Sequence, residues 1–308
     1  MINDHVVYIL HDHCFYRREE LPSKLETASD QIFTTLKEHS RIITHAELQS
    51  ILRENQQTWR LPQSMSVRKF IEFLSEKGKL KTYRFEFPHR PALRYTWGDI
   101  GLSDVVQSIQ KKGYFSHFTA MQQHDLTEQV SKTIYFNIEQ RLTGGGTEPT
   151  QAGIDRAFKG KCRISKNAVT VNDQTIRLLN GRNTGEMGVM EVAGIEQFPK
   201  RVTNIERTLI DITVRPVYSG GVYQVAQAFV AAQEQVDVKR LASYLRKLNF
   251  TYPYHQSIGF YMERAGNYST SQMNQMGDFE LQYDFYLDYG MKQTEYIKEW
   301  SLHVPKGF

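Results

Sequence analysis

Between residues 60 and 94 the chain carries nine Lys or Arg against three Asp or Glu, a local balance of +6 in a protein whose formal charge is +4. The remainder is therefore about −2, and a basic stretch on a near-neutral body is the footprint of a surface that meets an anionic polymer. The residue types suit DNA. Gln63, Ser64, Ser66, Arg68 and Lys69 combine hydroxyl, amide and cationic groups that can read base edges, whereas Lys81, Arg84, His89 and Arg90 supply charge for phosphates.

Other groups with chemical potential are sparser. Asp278, Glu280, Asp284 and Asp288 form one dense acidic group, which on a strand would share a face and could hold a divalent ion, with Lys292 and Lys298 nearby. That is the pattern of a metal-dependent nuclease, the alternative reading. His5, His11, His13 and Cys14 are zinc-ligand types without a second pair at ligand spacing, so ordinary exposed side chains explain them better. Gly144, Gly145 and Gly146 lack the flanking pattern of a phosphate-binding loop. No catalytic residue, metal or cofactor is expected.

The basic residues need elements to present them. Thr44 and Glu47 form a capping box, opening a helix with Leu48, Ile51 and Leu52 on one face. A polar turn with Pro62 follows, and a second helix starts at Ser64 or Ser66. Its apolar stripe is Val67, Phe70, Ile71 and Leu74, which leaves Arg68, Lys69, Glu72 and Glu76 outward, and Gly78 supplies the stop. The period then changes to two: Tyr83, Phe85 and Phe87 alternate with Arg84 and Glu86, residues 88–91 turn the chain, and Leu93, Tyr95 and Trp97 return. Asp30 caps an earlier helix with Ile32, Phe33 and Leu36, and Ile42 and Ile43 make a small strand. That order predicts a winged helix-turn-helix, with one helix for the major groove and a basic hairpin for the backbone; double-stranded DNA is the implied partner.

The whole chain has 308 residues, 40% hydrophobic and 23% charged, enough for two domains with cores of their own. Its two cysteines make no disulfide framework, and neither a signal segment nor a membrane-length apolar run is present, which points to the cytoplasm and no membrane partner. The break at residues 98–102 divides residues 1–99, an N-terminal extension plus the winged domain, from residues 100–308. Few contacts are expected across it. The second part reads as mixed α+β: helices after residue 103 and at 117–124, a strand at 133–137, strand-like stretches at 162–164, 168–171, 175–179 and 187–192. Four helical segments follow residue 203, and a final strand pair covers 279–288 and 300–304. The fold class is thus α+β.

Residues 114–127, Tyr-Phe-Ser-His-Phe-Thr-Ala-Met-Gln-Gln-His-Asp-Leu-Thr, together with the strand at 133–137, resemble the opening of the C-terminal domain of AbiE-type abortive-infection antitoxins. Residues 202–211 with Gly220 and Gly221 resemble that family's central helix, and residues 258–263 its later helix. The resemblance implies a bacterial, cytoplasmic, non-enzymatic type IV antitoxin. Such a protein represses its own operon at inverted repeats and opposes a nucleotidyltransferase-like toxin without a stable complex. Within these motifs the polar residues are His117, Glu206, Arg207, Asp211 and Glu263. Helix chemistry alone accounts for several: Glu206 as a capping residue, and Arg207 with Asp211, and Asp211 with Arg215, as i,i+4 pairs. A solitary winged-helix regulator or a protein-binding adaptor is also compatible with this reading.

Overall fold

The computed structural model describes residues 23–77, 79–141, 148–195 and 198–308. The histidines before residue 14, Cys14, the stop at Gly78 and the glycines at 144–146 lie outside them. Twelve α-helices and three sheets make the described residues a mixed α+β structure.

The N-terminal part opens with α1 (Lys24–Thr27) and α2 (Ser29–Glu38), which buries Ile32 and Leu36. Asp30 does not cap α2, since the cap position is Ala28; its carboxylate lies in the first turn, where the helix dipole favours it. Strand β1 (Ile42–Ile43) leads to α3 (His45–Asn55), whose capping box forms as expected. The Thr44 hydroxyl accepts from the Glu47 amide at 3.2 Å and Glu47 accepts from the Thr44 amide at 2.7 Å. Leu48, Ile51 and Leu52 are buried. Helix α4 (Val67–Glu76) starts from Ser66, which caps the Lys69 amide. Its buried face is Phe70, Phe73 and Leu74, with Val67 and Ile71 packed at the margin. Phe73, absent from the expected stripe, completes it at i+3 from Phe70 and stacks 6.3 Å from Phe33.

Strands β2 (Leu80–Phe85) and β3 (Ala92–Trp97) pair antiparallel with Tyr83 opposite Arg94, and β1 adds to the far side of β3 in the order β1-β3-β2. One face of the hairpin is buried in a way the sequence does not anticipate. Tyr83, Phe85 and Phe87 belong to a core cluster that includes Ile100, Val105, Val106, Phe115 and Phe136, from beyond residue 99. The expectation of few contacts across residues 98–102 is therefore corrected: alternation reveals which side chains are buried but not against what.

A six-stranded mixed sheet, β6-β7-β5-β4-β9-β8, organises the rest. It comprises β4 (Tyr114–Phe115), β5 (Thr133–Asn137), β6 (Ala168–Val171), β7 (Gln174–Leu179), β8 (Val189–Ile195) and β9 (Phe198–Thr203). Residues 162–164, expected as a strand, have no regular structure. Around the sheet lie α5 (Leu102–Gln107), α6 (His117–Gln123) and α7 (Gln151–Lys159). They are followed by a helical layer of α8 (Ile205–Val214), α9 (Val222–Ala231), α10 (Val238–Leu248) and α11 (Tyr254–Ala265), with α12 (Thr270–Gly277) beside it. Helix α8 is the centre of that layer: every residue from Glu206 to Thr213 is buried.

Gly259 on α11 shows how tightly the layer closes. A Cβ there would lie 2.1 Å from the Trp300 ring, so only glycine lets the indole seat on the helix. The chain ends in a small sheet, β10-β12-β11, of β10 (Phe285–Tyr286), β11 (Thr294–Ile297) and β12 (Leu302–Pro305). Strand β11 is an addition to the expected pair, and β10 runs parallel to β12. No described helix is long and apolar enough to cross a membrane.

Candidate functional site

Two regions gather the polar residues singled out from the sequence. The first is the outer face of α4 with the hairpin. Gln63, Ser64, Ser66, Arg68, Lys69, Lys81, Arg84, His89 and Arg90 are all exposed. Their charges are not equally available. Arg68 pairs with Glu72 at 2.8 Å on the same helix, and Lys81 is bound to Asp99. Lys77 pairs with Glu26 at 3.1 Å, and the Lys79 ammonium sits 4.6 Å above the Phe33 ring.

Arg94 is turned away from any ligand: its guanidinium donates to the Ser108 carbonyl at 2.9 Å and the Ser108 hydroxyl at 3.2 Å, pinning the hairpin to the end of α5. Desolvation lowers its pKa. Among the described residues, Arg60, Lys69, Arg84 and Arg90 hold no ion pair. The +6 of the sequence thus shrinks to a core of four cations, with Arg68, Lys77 and Lys81 each sharing an exposed, weakly held pair.

The second region surrounds α8. Arg207 and Asp211 pair at 2.8 Å, with side chains only 5% and 12% exposed. The arginine also donates to the Met187 carbonyl at 2.8 Å and the Thr184 hydroxyl at 3.0 Å. The turn that supplies these acceptors can approach because residue 188 is glycine at φ +72°; a Cβ there would stand 2.7 Å from the Arg207 Cβ. Glu139 anchors the same turn, accepting from the Thr184 amide at 2.9 Å and the Tyr114 hydroxyl at 3.0 Å. Burial works against ionisation of Glu139, but these donors outweigh it and leave its pKa lowered. For Arg207 burial likewise opposes the charge, and Asp211 more than compensates, so its pKa is raised.

His117 opens α6 with φ +52°, an unusual backbone state for a residue with a side chain. The turn places its ring, about nine-tenths buried, edge-on to Tyr218 at 5.4 Å, with Nδ1 2.9 Å from the Ser116 hydroxyl. Burial pushes its pKa down to about 4, against the pull of Asp211, so the imidazole is neutral at pH 7. His117, Arg207, Asp211 and Arg215 line one cavity of about 560 Å³.

Glu206 and Glu263 do not join this group. Glu206 is not the expected capping residue, because Asn204 caps α8 through the Arg207 amide. Its carboxylate instead accepts from the Asp237 amide at 2.9 Å, fixing the start of α10. Glu263 accepts from the Trp300 indole. The expected Asp211–Arg215 pair is also absent: Arg215 leaves the helix at its C-terminal cap and donates to the Tyr289 hydroxyl at 2.9 Å. Arg163, Arg182 and Arg215 are cavity residues that the sequence does not reveal, since they come from three separate segments.

The acidic group at 278–288 does not share a strand. Asp278 caps α12, Glu280 lies in a loop, and Asp284 accepts from the Tyr296 hydroxyl at 2.5 Å. No group of three or more His, Cys, Asp or Glu able to hold a metal occurs among the described residues.

No model of a known protein family matches the chain, and no curated protein matches it. Among solved structures, the crystal structure of the RV2827C protein from Mycobacterium tuberculosis superposes with a TM-score of 0.58, over 90% of this chain and 91% of that one. The two are 12% identical in sequence. At that identity the likeness establishes a shared fold across nearly the whole chain, with its α+β plan, and nothing about activity.

Proposed function

We propose that residues 23–97 form a winged helix-turn-helix and that the protein is a DNA-binding transcriptional repressor serving as a type IV antitoxin against a nucleotidyltransferase-like toxin. One observation carries the DNA-binding half. The order α2-β1-α3-α4-β2-β3, with sheet order β1-β3-β2, leaves the polar face of α4 and the turn at residues 88–91 exposed together with four cations that hold no ion pair among the described residues. In such an arrangement α4 enters the major groove and the hairpin follows the backbone.

The burial of Tyr83, Phe85 and Phe87 against the second part fits this reading, because a wing braced from behind holds Arg84 and Arg90 in a fixed position without losing loop entropy on binding. The antitoxin half rests on the resemblance of residues 114–137, 202–221 and 258–263. All three segments are built into buried cores, residues 114–137 mainly into the cluster behind the hairpin and the other two mainly into that around α8 and α11, which supports a role as framework rather than as a catalytic set.

The test is a gel shift of the full chain on its own promoter, beside a survival assay with the neighbouring toxin gene. Arg90→Glu is expected to weaken binding to promoter and random duplex alike, and Arg68→Ala to weaken discrimination between them. Retained affinity in Arg90→Glu overturns the wing assignment. Toxin survival unaffected by deletion of the whole gene overturns the antitoxin role.

A further inference from the structure

We propose that the cavity beside α8 is a binding site for a nucleoside monophosphate, separate from the DNA-binding surface. Its volume of about 560 Å³ lies within the range of roughly 300–1,000 Å³ that small-molecule sites occupy. Its charge is one-sided. Four arginines, 163, 182, 207 and 215, reach its wall, with Asp211 as the single carboxylate, and that carboxylate is committed to Arg207.

Arg215 is the sharpest case. It is half-buried, donates to the Tyr289 hydroxyl, lies 5.5 Å from the centre of that ring and beside the Cys162 thiol, and has no carboxylate in ion-pair range among the described residues. A guanidinium withdrawn from water without a counter-charge is costly, and a bound phosphate would supply the missing charge through paired N–H donors. The neighbouring wall is aromatic: Tyr218, Phe250 and Tyr252 line the same space and supply apolar surface for the base.

His117 adds a second, independent observation. Its ring is buried and lines the cavity, Nδ1 is taken up by Ser116, and Nε2 has no hydrogen-bond partner among the described residues. The backbone turn at φ +52° holds it there at some cost in strain, the kind of cost that persists where a side chain must face a ligand. A neutral imidazole, hydrogen-bonding without adding charge, suits the sugar or base of the ligand, while the arginines take its phosphate.

The test is thermal unfolding of the full chain with AMP, GMP, CMP and UMP, and with adenosine and inorganic phosphate as partial ligands. At 100 times its Kd a monophosphate is expected to raise Tm by about 4 °C, with adenosine and phosphate each giving less. Arg163→Ala, an exposed position whose side chain makes no hydrogen bond among the described residues, and Arg215→Gln should each raise the Kd at least tenfold, whereas Arg90→Glu on the hairpin should leave it unchanged. Arg163→Ala keeps the test decisive if Arg215→Gln perturbs the fold. No shift with any monophosphate, an equal shift with phosphate alone, or wild-type affinity in both cavity variants would each overturn the proposal. Loss of binding in Arg90→Glu would do so too, by moving the ligand to the DNA surface.

Discussion

Asp211→Ala probes the pair at the centre of α8. It removes the one carboxylate that neutralises Arg207, a side chain 5% exposed, and the charge cannot escape because its guanidinium is held by Met187 and Thr184. Breaking a buried pair from one side costs about 3–5 kcal/mol. The two neutral acceptors stay in place and Glu139 remains nearby, so the lower end, ~3 kcal/mol, is the expectation. With an unfolding entropy of roughly 2.1 cal/mol/K per residue over the chain, that is a fall in Tm of about 5 °C by calorimetry.

Replacing both partners, Arg207→Met with Asp211→Leu, removes the stranded charge as well. The double variant should therefore unfold above Asp211→Ala, and with Arg207→Met and Asp211→Leu measured singly it closes a cycle that reads the coupling directly. An Asp211→Ala variant within 1 °C of wild type, or strict additivity in the cycle, would refute the claim that this pair is desolvated and coupled.

Three further outcomes follow from other elements. His117 is neutral in the fold with a pKa of about 4 against an ordinary 6.5, so the unfolded chain binds the extra proton; stability is unaffected above pH 6.5 and falls as pH drops toward 4, by about 3 kcal/mol. Urea unfolding of wild type and His117→Gln at pH 7 and 4.5 checks it, and an equal pH dependence in both would contradict it. Thr44→Ala deletes both hydroxyl contacts of the α3 capping box and should cost about 1 kcal/mol in urea unfolding, with Thr44→Ser recovering most of it. Gly259→Ala forces a methyl into the Trp300 ring and should cost at least 1–3 kcal/mol, with a change in tryptophan fluorescence as the indole shifts.

The parts legible in the sequence were those fixed by neighbours in the chain. The Thr44 capping box, the Leu48, Ile51 and Leu52 stripe, the strand at 133–137 and the Arg207–Asp211 pair are all set by spacings of two to four residues, and the structure forms each of them. What failed depends on distant partners. Thr203 and Glu206 have the spacing of a capping box, yet Glu206 is drawn to the Asp237 amide and Asn204 takes the cap. Residues 162–164 alternate like a strand, but the Ser165 amide is held by the Tyr218 hydroxyl instead of a ladder. The cavity was invisible for the same reason: its arginines stand up to 52 positions apart and meet only in the fold. Local charge counting also overstated the basic face, because Lys77 and Lys81 face acidic partners at the surface and Arg94 spends its donors inside the protein.

The salt dependence of duplex binding by the full chain tests the proposed DNA-binding surface. Arg60, Lys69, Arg84 and Arg90 neutralising four phosphates give a slope of log K against log[salt] of roughly −3.6 at about −0.9 per contact. Summed sequence charge, allowing six contacts, would give about −5. We predict a slope near −3.6 for the wild type, and one about 0.9 shallower for Arg90→Ala on promoter and random duplex alike. A slope near zero, or one unchanged in Arg90→Ala, would contradict the assignment of this surface to DNA.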